Sequence, residues 1–189
     1  MLIAEAYWDM EWVLQQQGFD FCYDKRLYDR VLGLDPSAVR DHLTADVGYQ
    51  SRLLRFLENH DEPRVAHRLP REAGKAAAVA LATLPGATLW QEGQLEGRRT
   101  RPPVFLRRAP DEPPDQDLAA WYDRLLTAAG DVRTGSWDLA ATCGWPDNDT
   151  HRDLLSGDEF DRDGGELADH GLFVSLPPWH HRLFHVGER

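Results

Sequence analysis

The chain has 189 residues with 21 Lys+Arg against 32 Asp+Glu, a formal charge of −11, which suits one domain or slightly more at roughly 150 residues each. Hydrophobic residues make up 42% and charged residues 28%, a globular composition and not a disordered one. The acidic balance argues against a nucleic-acid backbone or an anionic membrane as partner, since both need a cationic face.

Cys22 and Cys143 are too few and too far apart for a disulfide scaffold or a cysteine metal site. No basic segment followed by an apolar run opens the chain, and no stretch approaches the roughly 18 apolar residues of a membrane span. The sequence reads as soluble and cytoplasmic. Seven tryptophans are the compositional oddity, because indole faces stack on sugar rings as well as filling cores.

Leu2 to Trp8 reads as a buried strand that begins at the first residues of the chain. Asp9 to Gln17 is a short helix with Asp9 as N-cap and Gly18 as stop. Phe19 to Asp24 alternates as a second strand. A helix is expected from Pro36 to Arg52, opened by Asp35-Pro36. Leu53 to Glu58 is a third strand, ending in the polar cluster Asn59 to Arg64. Arg71 to Leu84 is an alanine-rich helix stopped by Pro85-Gly86. Ala87 to Gln91 is a fourth strand, and a basic, proline-containing loop from Arg98 to Pro114 leads to a helix over Asp115–Ala129. Beyond Gly130, strands at 137–142, 171–176 and 182–186 predict an all-β tail.

Four strand–helix alternations argue for a parallel sheet with right-handed crossovers. Acidic residues mark the four strand ends: Glu5, Asp24, Asp61 and Glu92, with separations of 19, 37 and 31 that average 29. A (β/α)₈ barrel of roughly 250 residues spends about 31 on each unit, although a flavodoxin-like sheet has a similar pitch. Either fold puts its site at these strand ends.

Glu5, with Tyr7 and Trp8 beside it, has the environment of a general acid, since aromatic walls raise a carboxyl pKa. The competing reading is a strand-end glutamate paired with an arginine. His60-Asp61, flanked by Asn59 and Glu62, supplies donors and acceptors in one turn, or simply satisfies the local backbone. The Glu92–Gly97 segment fits neither phosphate-loop pattern, and its carboxylates would repel phosphate. His180, His181 and His185 do not complete a metal set, because alternation turns His180 away from the other two. No metal and no cofactor is expected.

Ile3-Ala4-Glu5-Ala6-Tyr7-Trp8 resembles the fifth barrel strand of the α-amylase family, glycoside hydrolase family 13, where a glutamate is the acid/base. Phe56-Leu57-Glu58-Asn59-His60-Asp61-Glu62-Pro63-Arg64 resembles that family's strand-seven motif, whose His-Asp pair binds the sugar next to the scissile bond. Gly171 to Trp179 resembles the closing strands of its C-terminal β-sandwich. The resemblance implies an α/β chain: the C-terminal half of a TIM (β/α)8 barrel over 1–130, then a shortened, antiparallel β-domain over 131–189. Strands one to four, with the nucleophilic aspartate, have no counterpart here, so the chain is expected to be the downstream part of a longer or broken gene.

The function so implied is retaining chemistry on α-glucosidic bonds, by hydrolysis or transfer. Glu5 would be the acid/base, Asp61 and His60 would hold the sugar, and Tyr7 and Trp8 would stack on glucose rings. The expected partners are an α-glucan or oligosaccharide and the missing N-terminal half of the barrel. Without its nucleophile the isolated chain is expected to be inactive. Two alternatives stand beside this: a non-catalytic α-glucan-binding or interaction module, and an unrelated α/β small-molecule binder.

Overall fold

Four short strands run parallel in the spatial order β1-β2-β3-β4: β1 (Ile3–Ala4), β2 (Phe21–Tyr23), β3 (Leu53–Arg55) and β4 (Ala87–Thr88). The computed structural model describes residues 1–105, 108, 110–133, 148–170 and 175–188. Ala4 pairs with Cys22, Cys22 with Leu53, and Leu54 with Ala87. Parallel neighbours need crossover connections, and helices fill each one. These are α1 (Glu11–Gln16), then α2 (Lys25–Leu32), α3 (Pro36–His42) and α4 (Val47–Gln50), then α5 (Val65–Arg68) and α6 (Arg71–Thr83).

The second crossover differs from the expected single helix. Three aspartates each accept a backbone N–H and start a helix: Asp24 from Leu27, Asp35 from Ser37 and Ala38, Asp46 from Tyr49. Competing N-caps divide the segment. α2 adds an element the sequence reading passed over, although Leu27, Tyr28 and Leu32 bury one of its faces.

The opening also differs. β1 pairs over two residues only, and further on Trp8 and Asp9 adopt left-handed backbone (φ 65° and 63°) that turns the chain before α1. Asp9 therefore does not cap α1, whose N-cap is Met10, and instead pairs with Arg26. Before β4, Gly86 has φ +97° and packs on the carbonyl of Leu53, where a Cβ would clash.

Cys22, Leu53, Leu57 and Ala78 lie at the centre of this first unit, Met1–Ala119. Arg55 is equally buried, held by Asp24 at 3.2 Å, by Gln50 and by the carbonyl of Pro85.

Helix α7 (Gln116–Arg133) opens on Asp115, which accepts from Leu118 N at 2.9 Å. The second unit, Ala120–Arg189, holds an antiparallel sheet ordered β6-β5-β7: β5 (Asn148–Asp153), β6 (Glu159–Asp163) and β7 (Phe184–Glu188). It is not all-β. Helix α8 (Gly164–His170) follows β6, started by Asp163 accepting from Glu166 N at 2.9 Å. The expected strand at 137–142 and most of the one at 171–176 lie outside the described residues. Among the described residues, no helix is long and apolar enough to cross a membrane.

Candidate functional site

Glu5 leaves the C-terminal end of β1, and His60 and Asp61 follow the end of β3. Parallel strands deliver their C-terminal ends to one edge of the sheet, so residues 55 positions apart in sequence meet there. His60 Nε2 stands 3.9 Å from Glu5 Oε1 and 3.4 Å from Asp61 Oδ2. The Tyr7 hydroxyl donates to Glu5 Oε1 at 3.3 Å. Burial pushes the Tyr7 phenol up to about 12, and the adjacent Glu5 carboxylate adds to that rise. Four of the five site residues read from the sequence thus form one cluster.

The cluster is open. Glu5, His60 and Asp61 side chains are 38%, 46% and 62% exposed, so the aromatic enclosure expected around Glu5 is not complete within this chain. Trp8 meets Tyr7 edge-on at 5.9 Å and is otherwise 84% exposed. It offers a flat apolar face at the rim of the cluster.

The turn carrying His60 and Asp61 is held from beneath. Glu58 and Arg64 are both buried and joined at 2.7 Å, and Glu58 also accepts from Val65 N at 2.6 Å. Burial raises the Glu58 carboxyl, with Arg64 and the Val65 N–H opposing that rise. Arg64 continues to the carbonyls of Glu92 at 2.6 Å and Thr100 at 3.3 Å. Asn59 Oδ1 accepts from the N–H groups of Asp61 and Glu62, both at 2.9 Å. Glu62 turns back to α2, accepting from the Tyr28 hydroxyl at 3.0 Å and pairing with Lys25 at 3.3 Å. Backbone satisfaction accounts for Asn59 and Glu58. It does not account for His60 and Asp61, whose side chains face Glu5.

The remaining strand-end carboxylates are elsewhere. Asp24 is buried, caps α2 and binds His42 Nε2 at 3.0 Å as well as Arg55. Glu92 is exposed and pairs with Arg98 at 3.3 Å. The sequence reading had not linked Glu58 to Arg64 or Asp24 to Arg55. A buried-strand glutamate six residues ahead of an arginine was the available signal for the first pair.

Oxygen and nitrogen atoms of Glu5, His60 and Asp61 lie within 4.8 Å of one another, a spacing that fits a small cation. All three are exposed, whereas the ligands of a dedicated metal site are held by an enclosing second layer of partners. Donors and acceptors so arranged suit sugar hydroxyls equally well. His180, His181 and His185 join no metal-ligating cluster among the described residues.

No protein-family model matches the sequence. Over 91 residues it is 37% identical to alpha-amylase MalA of Haloarcula japonica, covering 44% of this chain and 14% of that protein. An α-amylase from Geobacillus thermoleovorans, solved with acarbose, superposes with a TM-score of 0.72 at 18% identity, over 100% of this chain and 54% of that one. The chain resembles the α-amylase family. The noncanonic maltogenic α-amylase AmyB of Thermotoga neapolitana (TM-score 0.66, 18% identity) and an Anoxybacillus α-amylase (0.65, 16%) each match 86% of this chain. These α-amylases share its fold. The chain spans about half the length of the solved structures and 14% of the curated relative.

Proposed function

We propose that the chain carries the acid/base side of a retaining enzyme acting on α-glucosidic bonds. The observation behind this is the convergence of Glu5, His60 and Asp61 at one sheet edge in a chain that resembles α-amylases. Glu5 protonates the leaving glycosidic oxygen and then deprotonates the incoming water or sugar hydroxyl. Asp61 and His60 hold sugar hydroxyls through bonds that strengthen as the ring flattens toward the oxocarbenium ion. Tyr7 orients the Glu5 carboxyl, and Trp8 stacks on a glucose ring.

The nucleophile comes from a barrel segment outside this sequence. In this reading the four parallel strands are the second half of a (β/α)₈ barrel, extending through residue 130, and residues 131–189 belong to the C-terminal β-domain. The other half docks on the open edge of β1, near the exposed Leu2 and Ile3; Met10, Trp12 and Val13 at α1 are exposed as well. The share of the Geobacillus α-amylase that this chain leaves uncovered supplies an occupant of the right size.

The test uses the barrel completed in cis or in trans. Glu5→Gln should slow cleavage of unactivated α-glucosides by about 10²–10⁴-fold and spare the glycosylation step of a substrate with a good leaving group. Asp61→Asn should impair both substrates alike. Equal losses on both substrates for Glu5→Gln would remove the acid/base assignment.

A further inference from the structure

An acidic chain places Arg98, Arg99 and Arg101 in one loop, and the glucoside chemistry gives them no task. The structure folds this loop against the segment after the His60-Asp61 turn. Between them lies a concavity of about 560 Å³ lined by Pro63, Arg64, His67, Arg99, Thr100 and Arg101.

Two of its guanidiniums are oriented without a carboxylate partner among the described residues. Arg99 donates to the carbonyl of Ala66 at 2.6 Å, and Arg101 donates to the carbonyl of Asp61. A carbonyl fixes a guanidinium while most of its five N–H donors stay available. Arg64 is the exception, matched by Glu58. The facing carboxylate is Glu112, which accepts from the backbone N–H groups of Arg99 and Thr100 at 2.9 Å each and so braces the loop. Glu92, 3.9 Å from Arg64, is drawn to Arg98 at 3.3 Å. With Glu112 counted, Arg99 and Arg101 still leave a positive excess around the lining.

We propose that this pocket binds the anionic group of a charged sugar, a phosphate ester or a carboxylate, next to Asp61. The placement follows from the Arg101–Asp61 contact, which joins the pocket to the sugar-holding turn. Planar guanidiniums suit both oxyanions because they match paired oxygens. The sugar part rests on the α-glucoside reading, whereas the anion part rests on the pocket alone.

The test is calorimetric titration of the full chain at constant ionic strength with inorganic phosphate, glucose 6-phosphate, glucuronate, glucose and maltotriose. The charged sugars are expected to bind about tenfold more tightly than glucose, the worth of one charge-assisted hydrogen bond. Preference for the phosphate or the carboxylate identifies the group. Arg99→Gln with Arg101→Gln should erase the advantage, and Arg99→Lys with Arg101→Lys should keep part of it. Those arginines also hold the loop, so His67→Glu is the second variant: it adds a negative charge at an exposed lining position and should abolish the preference.

Equal affinity for charged and neutral sugars would overturn the inference, as would an advantage that survives His67→Glu. Maltotriose binding with no anion advantage removes the pocket and leaves the glucoside reading standing. Phosphate binding lost in His67→Glu, without maltotriose binding, does the reverse.

Discussion

Glu58 and Arg64 meet at 2.7 Å beneath the turn that carries His60 and Asp61, each at 2% exposure or less. The pair closes a loop of five intervening residues, Asn59 to Pro63, in the interior, while the loop's crown faces outward with the two sugar-binding candidates. Buried support and exposed function are therefore separate residues of one segment. A rigid base can hold a polar crown in place without itself touching a ligand.

Breaking that pair should be costly. Arg64→Met leaves a buried carboxylate without its partner, and such losses run to about 3–5 kcal/mol. The double variant Glu58→Gln/Arg64→Met removes both charges and should recover part of that loss. Urea unfolding of the two single variants and the double variant gives the coupling. Additive effects would mean that the ion pair does not hold the turn.

The Tyr7 phenol gives a pH signature. Its folded pKa is about 12 against an ordinary 10, raised by burial and by the Glu5 charge. The stability this contributes is fully present below pH 10 and is lost as pH rises through 12. Tyr7→Phe should therefore flatten the alkaline decline in unfolding free energy between pH 10 and 12. Glu5→Gln should flatten it in part, because the Glu5 charge goes while burial stays. Denaturant titrations at successive pH values read both. An unchanged slope in Tyr7→Phe would separate Tyr7 from Glu5.

The sequence made the parallel sheet and the site cluster legible for one reason. Strand ends with acidic or His-Asp signals follow apolar runs, and parallel pairing brings such ends together whatever lies between them. Leu53 to Phe56 and Glu5 illustrate this. The interior of the second crossover was harder to read, since Asp24, Asp35 and Asp46 are each good N-caps and nothing local states how many helices will result. Asp24 was misleading for a related reason. A carboxylate ending a strand suggests a site, yet Asp24 is satisfied in the interior by Arg55. Helix α8 was hidden by Asp163-Gly164-Gly165, which reads as a turn while Asp163 in fact caps a helix.

The exposed apolar edge predicts self-association. Leu2 and Ile3 at the edge strand and Trp12 and Val13 on α1 are all exposed, and exposed apolar side chains at an unpaired sheet edge favour association. Sedimentation should show mass rising with concentration, and Trp12→Gln/Val13→Gln should shift the distribution toward monomer with little change in unfolding midpoint. Adding the complementary barrel half should have the same dispersing effect. A wild-type chain that stays monomeric across the range, with a sharp transition, would remove this face as a docking surface.

The chain as given is expected to show no turnover. Retaining glycosidases place two carboxyl groups about 5–5.5 Å apart on opposite faces of the anomeric carbon. Glu5 and Asp61 have oxygens within 4.8 Å of each other, close enough to invite assignment as that pair. In the proposed reading Asp61 instead joins His60, whose Nε2 stands 3.4 Å from Asp61 and 3.9 Å from Glu5, in holding the hydroxyls of a bound sugar. An acid and a nucleophile must flank it. Uncatalysed glycoside hydrolysis is slow enough that loss of the nucleophile leaves nothing measurable. Purified chain incubated with maltooligosaccharides and with an activated α-glucoside should release no product above the Glu5→Gln control. If product forms, and a fluorinated α-glucoside labels Asp61 in wild type but nothing in Asp61→Asn, then Asp61 is the nucleophile and the chain carries the whole retaining pair.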